Sequence, residues 1–172
     1  TDIGQKQLPA GWKWVKLGQL MTDVQSGFAS GKRDSEGVIQ LRMNNVNTTG
    51  GFDWSKTLRV PRNAANLSKY RLDEGDVLFN NTNSPDLVGK AAVFKRHEEL
   101  IVYSNHFTRL RPNRNGLLSG YLGAWLNQQW NRGVFKRMCN QWVNQAAVPR
   151  KALLDMSIPL PPIEEQKRIA GI

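Results

Sequence analysis

The sequence predicts an α+β fold, in which a mixed or antiparallel twisted sheet carries a few flanking helices. Along the first part of the chain, polar loops separate short segments that have apolar residues at alternate positions. This period of two is typical of half-buried strands. Segment 118–126 instead has its apolar residues at helical spacing. The proline-rich segment 159–162 then leads into another helical pattern.

The N-terminal part is predicted to supply the strands. Alternation predicts strands at 12–17, 38–43, 89–94 and 100–110, and a turn followed by a buried strand at 72–79. Apolar residues from 17 to 24 recur at helical spacing, so we expect a short helix there that Gly27 stops. Segment 66–70 is predicted to form a brief turn or helix, and segment 141–150 a polar loop.

The C-terminal part is predicted to supply the helices. The apolar stripe of 118–126 is expected to face the core, and residues 134–138 indicate a second helical piece. Pro162 suits the first position of a third helix, in which acidic residues precede basic ones as the helix dipole favours. We therefore expect a main domain at 1–158, followed at 159–172 by a proline-rich hinge and the start of a longer helix.

The charge balance indicates a polyanionic partner. The chain has 24 Lys and Arg against 14 Asp and Glu, a formal net charge of +10. Binding to phosphates would use this excess, because each basic side chain near a phosphate releases condensed counterions. A basic protein without such a partner is the plain alternative. The single cysteine, Cys139, excludes an internal disulfide.

Two further patterns bear on location. No apolar run approaches the ~20 residues that a membrane span needs. The polar start of the chain does not resemble a signal peptide. The expected location is therefore the cytoplasm, with no membrane as partner.

Four polar loops hold side chains that match base edges and phosphates. Asn and Gln can form two hydrogen bonds with adenine, and Arg can do so with guanine. The same residue types also favour turns through local backbone bonding, which is the alternative for each of them. The candidate DNA-binding residues are Ser30, Lys32 and Arg33 in the first loop; Arg42, Asn44 and Asn45 in the second; Asn80, Asn81, Thr82, Asn83, Ser84 and Lys90 in the third; and Gln141, Asn144, Gln145, Arg150 and Lys151 in the fourth.

Enzyme chemistry finds little support, and neither catalytic nor metal-binding residues are predicted. Two histidines and one cysteine cannot form an all-His/Cys zinc site. A metal-dependent nuclease needs clustered carboxylates. Asp86 is a candidate, but the acid-x-Lys triplet downstream of it, 165–167, lies in a predicted helix. Two alternatives stay open: a nonspecific nucleic-acid-binding module, with RNA as one ligand, and a metal-dependent nuclease.

Six sequence elements in a fixed order resemble the target-recognition domain of type I restriction-modification specificity subunits. They are Leu8-Pro9-x-Gly11-Trp12 with Leu17-Gly18-x-Leu20, Arg42-x-x-Asn45, Leu72-x-x-Gly75-Asp76-x-Leu78-Phe79, Val88-Gly89-Lys90, His106-x-x-Arg109, and Ile158-Pro159-Leu160-Pro161-Pro162 with Glu165-Gln166 and Ile169. Each element alone is a weak signal, but their order is specific and covers nearly the whole chain. Loop contents differ between family members and are not matched.

The resemblance implies a fold like that of a target-recognition domain, and no catalysis. Such subunits carry two of these domains, each reading one half of a bipartite DNA target, separated by conserved spacer helices. Residues 159–172 would then be the hinge and the start of a spacer helix. The implied partners are double-stranded DNA, methyltransferase subunits that methylate adenine and, through them, a restriction/translocase subunit. S-adenosylmethionine would be bound by the methyltransferase subunit, so no cofactor is expected on this chain.

Overall fold

The structure, a computed structural model, describes residues 6–171. Its strands are β1 (Lys13–Lys16), β2 (Met21–Ser26), β3 (Val38–Leu41), β4 (Leu58–Val60), β5 (Val77–Asn80), β6 (Thr82–Asn83), β7 (Ala91–Val93), β8 (Ile101–Tyr103), β9 (Phe107–Pro112), β10 (Asn140–Trp142), β11 (Gln145–Ala147) and β12 (Ser157–Leu160). Its helices are α1 (Leu67–Tyr70), α2 (Ser119–Asn131), α3 (Val134–Met138), α4 (Arg150–Leu154) and α5 (Ile163–Ala170), with 3₁₀ turns at Leu17–Leu20 and Met43–Asn45. The start of the polar N-terminal segment, 1–5, and the last residue of the predicted helix, 172, lie outside the described residues.

The strands form four small sheets. The largest has the order β2-β9-β5-β7 with antiparallel pairs throughout. The sheet β4-β3-β8 contains a parallel pair, β3 with β8. The order β10-β11-β6 joins a hairpin to the strand that follows β5, and β1 pairs with β12. The predicted α+β class with mixed strand directions is confirmed, although the single predicted sheet is divided into four.

The predicted helix over 17–24 is wrong beyond its first turn. Residues Leu17–Leu20 form a 3₁₀ turn, but Met21–Ser26 is strand β2, paired with β9. The pairing register shifts between Met21 and Asp23, as in a β-bulge. The extra residue lets Met21 and Val24, three positions apart, both pack against the main core. A bulged strand thus imitates helical spacing.

The single strand predicted over 100–110 is two strands in different sheets. Strand β8 lies beside β3, whereas β9 lies between β2 and β5. Between them Ser104 closes a turn: its carbonyl accepts from Phe107 N–H at 3.1 Å, and its hydroxyl from His106 N–H at 3.3 Å. The turn contains neither glycine nor proline, so the sequence pattern gives no break and predicts one continuous strand.

The main core lies under helix α2, as its apolar stripe predicts. Leu122, Trp125 and Leu126 are buried in one cluster with Val77 and Phe79 of strand β5. Helix α2 contacts both β7 and α5. The second predicted helical piece is also present, as α3.

The predicted third helix is present as α5, which begins one residue later than predicted, with Pro162 as its N-cap, and is tied to the N-terminus of α2. The fully buried Gln166 side chain accepts from Leu118 N–H at 2.9 Å and donates to Gly116 O and Pro161 O, each at 2.9 Å. Strand β12, which crosses the predicted boundary between 158 and 159, pairs with β1. The boundary itself stays a prediction.

The predicted loop over 141–150 is largely ordered. It contains all of the hairpin β10–β11 except Asn140, together with the first residue of helix α4, Arg150. Three of the six residues in the hairpin strands are polar and three are apolar, and the two kinds do not alternate, so the sequence pattern does not reveal the strands.

Candidate nucleic-acid interface

The second and third loops are both attached, where they leave their strands, to the turn 104–106 between β8 and β9. Ser104 N–H donates to Leu41 O at 2.9 Å, where strand β3 runs into the second loop. In the third loop, Asn81 N–H donates to His106 O at 2.9 Å. This turn therefore anchors two loops that are distant in sequence.

The first loop is anchored on the same turn. Gly27 N–H donates to Phe107 O at 3.0 Å, and the buried Gln40 amide donates to Phe28 O at 2.8 Å. A Cβ atom on Gly27 would lie 2.1 Å from Ser104 O. The loop backbone thus packs directly against the backbone of the turn, which only glycine allows.

The hairpin of the fourth loop is joined to the third loop through strand pairing. Ala146 of β11 pairs with Asn83 of β6, and Val148 N–H donates to Asn81 O at 2.9 Å. All four predicted loops therefore share one supporting framework. We call the surface that they form the loop face; it comprises residues 28–33, 42–44, 81–84, 104–106 and 140–145.

The predicted contact residues divide by exposure. The exposed ones are Lys32, Arg33, Asn44, Gln141, Asn144, Gln145, Arg150 and Lys151. The half-buried ones are Ser30, Arg42, Asn81, Thr82, Asn83 and Ser84. The buried ones are Asn45, Asn80 and Lys90. DNA contact by the first two groups stays a prediction, whereas burial corrects it for the third.

Lys90 supports the second loop from inside. Its side chain is buried, and its Nζ donates to Val46 O at 2.6 Å and to Met43 O at 3.4 Å. Burial lowers the pKa of this ammonium. Because the charged group already binds backbone carbonyls beneath the surface, it is not placed to reach a phosphate.

Asn45 closes the second loop on itself. Its Oδ1 accepts from Arg42 N–H at 2.8 Å, and its Nδ2 donates to Asp53 O at 3.0 Å and Lys56 O at 3.2 Å. With both ends of the amide bonded inside the fold and the side chain buried, Asn45 is not placed to contact a base edge.

Asn80 does the same for the third loop. Its Nδ2 donates to Thr82 O and His106 O, each at 3.0 Å, and its Oδ1 accepts from Asn83 Nδ2 at 2.7 Å. Asn83 in turn accepts from Ser84 N–H at 2.8 Å. Asn80 and Asn83 therefore use their amides to fix the conformation of the third loop.

The basic residues of the first and fourth loops differ in how firmly they are held. Arg33 folds back on its own loop, where Nη1 donates to Ser30 O and Lys32 O, each at 2.9 Å. The Lys32 ammonium has no ion pair or hydrogen bond with any residue of 6–171. Arg150 Nη2 donates to Val24 O at 3.1 Å, in the strand that enters the first loop. Lys151 pairs with Asp155 along helix α4, on the exposed surface.

His106 belongs to the loop face although the sequence pattern assigns it to a strand. Its imidazole is half-buried, and burial together with the positive charge of Arg42 lowers its pKa. The polar triplet 104–106, set within an apolar alternation, is the signal that could have identified both the turn and this residue.

The basic residues of strand β9 are used inside the fold. Buried Arg109 pairs with Asp23, and Arg111 binds the buried Asp76 at 2.8 Å and Asp73 at 3.1 Å. In contrast, segment 132–151, which contains the hairpin, has five basic residues and no acidic one. Two of these five are also paired, Lys136 with Asp86 and Lys151 with Asp155, whereas Arg132, Arg137 and Arg150 form no ion pair with residues 6–171. The positive charge that this segment offers a ligand is therefore carried by those three arginines.

The carboxylates considered for a nuclease have separate partners. Asp86 pairs with Lys136 at 2.6 Å, and Glu165 accepts from Trp12 Nε1 at 2.8 Å. Between residues 6 and 171, no three His, Cys, Asp or Glu side chains lie close enough together to hold a metal ion. Across the same span, none of the helices is both long and apolar enough to cross a membrane.

The sequence profile described as the type I restriction modification DNA specificity domain matches residues 9–172. The chain is 31% identical to the type I restriction enzyme MjaX specificity subunit of Methanocaldococcus jannaschii, covering all of this chain and 40% of that protein. It is 26% identical to the StySPI specificity subunit of Salmonella potsdam, covering 92% of this chain and 35% of that protein. The chain thus spans about two fifths or less of the length of these relatives.

Solved structures share the fold. The HsdS subunit of Thermoanaerobacter tengcongensis superposes with a TM-score of 0.65 at 26% identity, covering 96% of this chain and 37% of that one. A chain from a structural study of complex assembly and conformational transition of the type I R-M system gives a TM-score of 0.69 at 23% identity, covering 99% and 39%. The second likeness shows the fold alone.

Proposed function

Because the chain belongs to the type I restriction modification DNA specificity family, we propose that its loop face reads one half of a bipartite DNA target without catalysing a reaction. The observation that carries this proposal is the convergence of four polar loops on the turn 104–106 and the strand pairs around it. Reading a DNA sequence needs hydrogen-bond donors and acceptors held in fixed positions. Loops can hold them so when the ends of the loops are fixed to a rigid framework.

Phosphate contacts fix the register of the protein on the duplex. Lys32, whose ammonium has no partner among residues 6–171, and Arg150 at the start of helix α4 are placed for this role. Each neutralised phosphate adds to the salt dependence of binding. These contacts hold every DNA sequence equally and so position the loops.

Base contacts supply the preference for one sequence. The exposed amides suited to this role are Asn44 in the second loop and Gln141, Asn144 and Gln145 in the fourth. An amide can donate to and accept from adenine in the major groove at once. An A·T pair within the half-site is therefore expected opposite at least one of these side chains.

The proposal extends to the partners of the whole specificity subunit. We propose that the full-length protein brings methyltransferase subunits, and through them a restriction/translocase subunit, to its DNA target. The names of its relatives, which are specificity subunits of restriction enzymes, support this assignment. S-adenosylmethionine would be bound by the methyltransferase subunit, and this chain would contribute only the position of the adenine.

Selection from a randomised duplex library tests the proposal. The purified chain is incubated with the library near physiological salt in excess competitor DNA, and bound molecules are sequenced over several rounds. Enrichment of one short motif is expected. Retained, salt-sensitive binding to every duplex without enrichment, in the presence as well as the absence of the methyltransferase subunit, would contradict sequence reading.

Two further samples address the other functions considered. Single-stranded DNA and RNA of the selected sequence should bind more weakly than the duplex, since base edges in the major groove exist only there. Plasmid DNA incubated with the chain and Mg²⁺ should stay supercoiled. Tighter binding to a single strand, or nicking that EDTA abolishes, would favour a different function.

A further inference from the structure

The hairpin of the loop face ends in two apolar side chains that pack on no core. Trp142 is 52% exposed and Val143 is 88% exposed. Neither belongs to any of the apolar clusters of residues 6–171, and Trp142 stacks with no other aromatic ring there. Exposed apolar groups that lie together mark contact surfaces. Folding of this chain does not account for them.

The hairpin geometry makes these side chains project. Trp142 pairs with Gln145 across the strands, so Val143 and Asn144 form a two-residue turn. Asn144 has a φ of 60°, a left-handed conformation that asparagine tolerates better than most residues. Strand β11 is held from its other side by β6. The tip therefore extends from a three-stranded sheet and not from a free loop.

The surroundings of the tip favour DNA as its occupant. The hairpin lies within segment 132–151, which has five basic residues and no acidic one. Lys136 and Lys151 pair with acidic residues outside the segment, but Arg132, Arg137 and Arg150 form no ion pair with residues 6–171. Exposed amides flank the tip at Gln141, Asn144 and Gln145. A two-stranded ribbon fits the major groove, which is about 12 Å wide. The tip thus combines apolar side chains, flanking amides and nearby positive charge. The major groove offers matching features, since its base edges are polar except at one apolar group and phosphates line it.

That group is the C5-methyl of thymine, the apolar feature of base edges in the major groove. Resting on the proposed function, we propose that the hairpin enters the major groove of the half-site and that Trp142 and Val143 read a thymine methyl group by apolar contact. The contact removes water from the methyl group and from both side chains, and it distinguishes a T·A pair from the other pairs at that position.

Deoxyuridine provides the test, because it pairs like thymine but lacks the methyl group. The motif selected from the random library is synthesised with each thymine, on either strand, replaced in turn by deoxyuridine. Dissociation constants are measured for the wild-type chain and for the double variant Trp142→Ala/Val143→Ala. Ile169→Ala serves as control, since this residue of helix α5 is 51% exposed and lies outside the loop face.

At one thymine position, deoxyuridine should weaken wild-type binding by about fivefold or more. The double variant should bind the thymine duplex with a similar loss and show no further loss with deoxyuridine at that position. Ile169→Ala should respond to deoxyuridine as the wild type does.

Three results would overturn the inference while leaving the proposed function intact: a selected motif made only of G·C pairs, equal deoxyuridine effects on wild type and double variant at every thymine, or wild-type affinity of the double variant. The last result, combined with lost binding to the methyltransferase subunit, would assign the tip to a protein partner. Failure to select any motif would instead overturn the proposed function, and the inference with it.

Discussion

Lys90 is a buried basic residue whose ammonium supports the backbone of the second loop. Replacing it by methionine keeps much of its volume but removes the donor to Val46 O and Met43 O. Leaving a buried acceptor without its partner costs about 1–3 kcal/mol of unfolding free energy. We expect Lys90→Met to lose that amount in urea unfolding, while the slope of log affinity against log salt for duplex DNA stays at its wild-type value.

Lys95→Met provides the matched control for Lys90. Lys95 is exposed, so the same chemical change should alter the unfolding free energy by no more than about 0.5 kcal/mol. If Lys90→Met kept wild-type stability and lowered the salt slope, Lys90 would lie on DNA after all, and its assignment as an internal support would be wrong.

His106 makes stability depend on pH in a predictable direction. Burial and Arg42 lower its pKa below the usual ~6.5, so the folded protein binds the proton less readily than the unfolded chain. The stability that this residue contributes is present above pH ~6.5 and is lost as pH falls through the lower pKa of the folded state. We expect NMR titration to give His106 a pKa below 6.5, and Arg42→Gln to move it upward.

The outcome of the titration separates the two causes. An unchanged His106 pKa in Arg42→Gln would mean that burial alone lowers it. A wild-type pKa above 6.5 would contradict the half-buried position of the imidazole beside Arg42.

Residue types in the sequence predict the polar loops but not which side chains point outward. Asn44 and Asn45 are neighbours of one type, yet the first is exposed and the second is buried. The difference depends on hydrogen bonds from Asn45 to the backbone at 53 and 56, which only the folded loop brings near. Trp142, a large apolar residue within the predicted polar loop 141–150, is 52% exposed, which its residue type does not indicate.

At the scale of helices and strands, the sequence predicts the elements that have a regular local pattern of apolar residues. It fails for elements whose structure depends on pairing with strands distant in sequence. Helix α2 and strand β5 have unbroken patterns and lie where predicted. The sequence pattern predicts a helix where strand β2 lies because a bulge changes the spacing of its apolar residues, and that bulge exists only in its pairing with β9. In hairpin β10–β11, polar and apolar residues do not alternate, so only the pairing of its strands with each other and with β6 identifies it.

The close approach of the first loop to the turn 104–106 predicts an intolerant glycine. A Cβ on Gly27 would meet Ser104 O at 2.1 Å and Tyr103 O at 2.5 Å. Both are backbone atoms, which cannot move aside as a side chain can. Overpacking of this kind costs about 1–3 kcal/mol, and we expect Gly27→Ala to lose at least that much unfolding free energy and to weaken DNA binding.

Gly31→Ala controls for the change of residue type in the same loop. No atom lies within 4 Å of a Cβ added at Gly31, so this variant should keep wild-type stability. Equal unfolding free energies for the two variants would contradict the backbone contact on which the loop face is built. Thermal and urea unfolding measure both.

For the whole molecule, composition predicts the chemical class of the ligand and the order of motifs predicts the family. The net charge of +10 indicates a polyanion, and six dispersed elements in fixed order indicate the family whose profile matches residues 9–172. Composition does not locate the charge. The pairs of Arg109 with Asp23 and of Arg111 with Asp76 form within the fold, whereas the arginines of segment 132–151 form no ion pair with residues 6–171.

The salt dependence of DNA binding tests where that charge acts. Lys32→Ala removes an ammonium that has no internal partner in the described chain, so it should leave stability unchanged, weaken binding to all duplexes alike and reduce the salt slope by about 1. Arg33→Ala should reduce the slope similarly but also loosen the loop, because it loses two bonds to Ser30 and Lys32 carbonyls. Lys95→Ala, exposed outside the loop face, should leave the slope unchanged. Equal reductions for Lys32 and Lys95 would mean that the protein attracts DNA with its whole surface, and wild-type slopes for both Lys32→Ala and Arg33→Ala would remove the first loop from the interface.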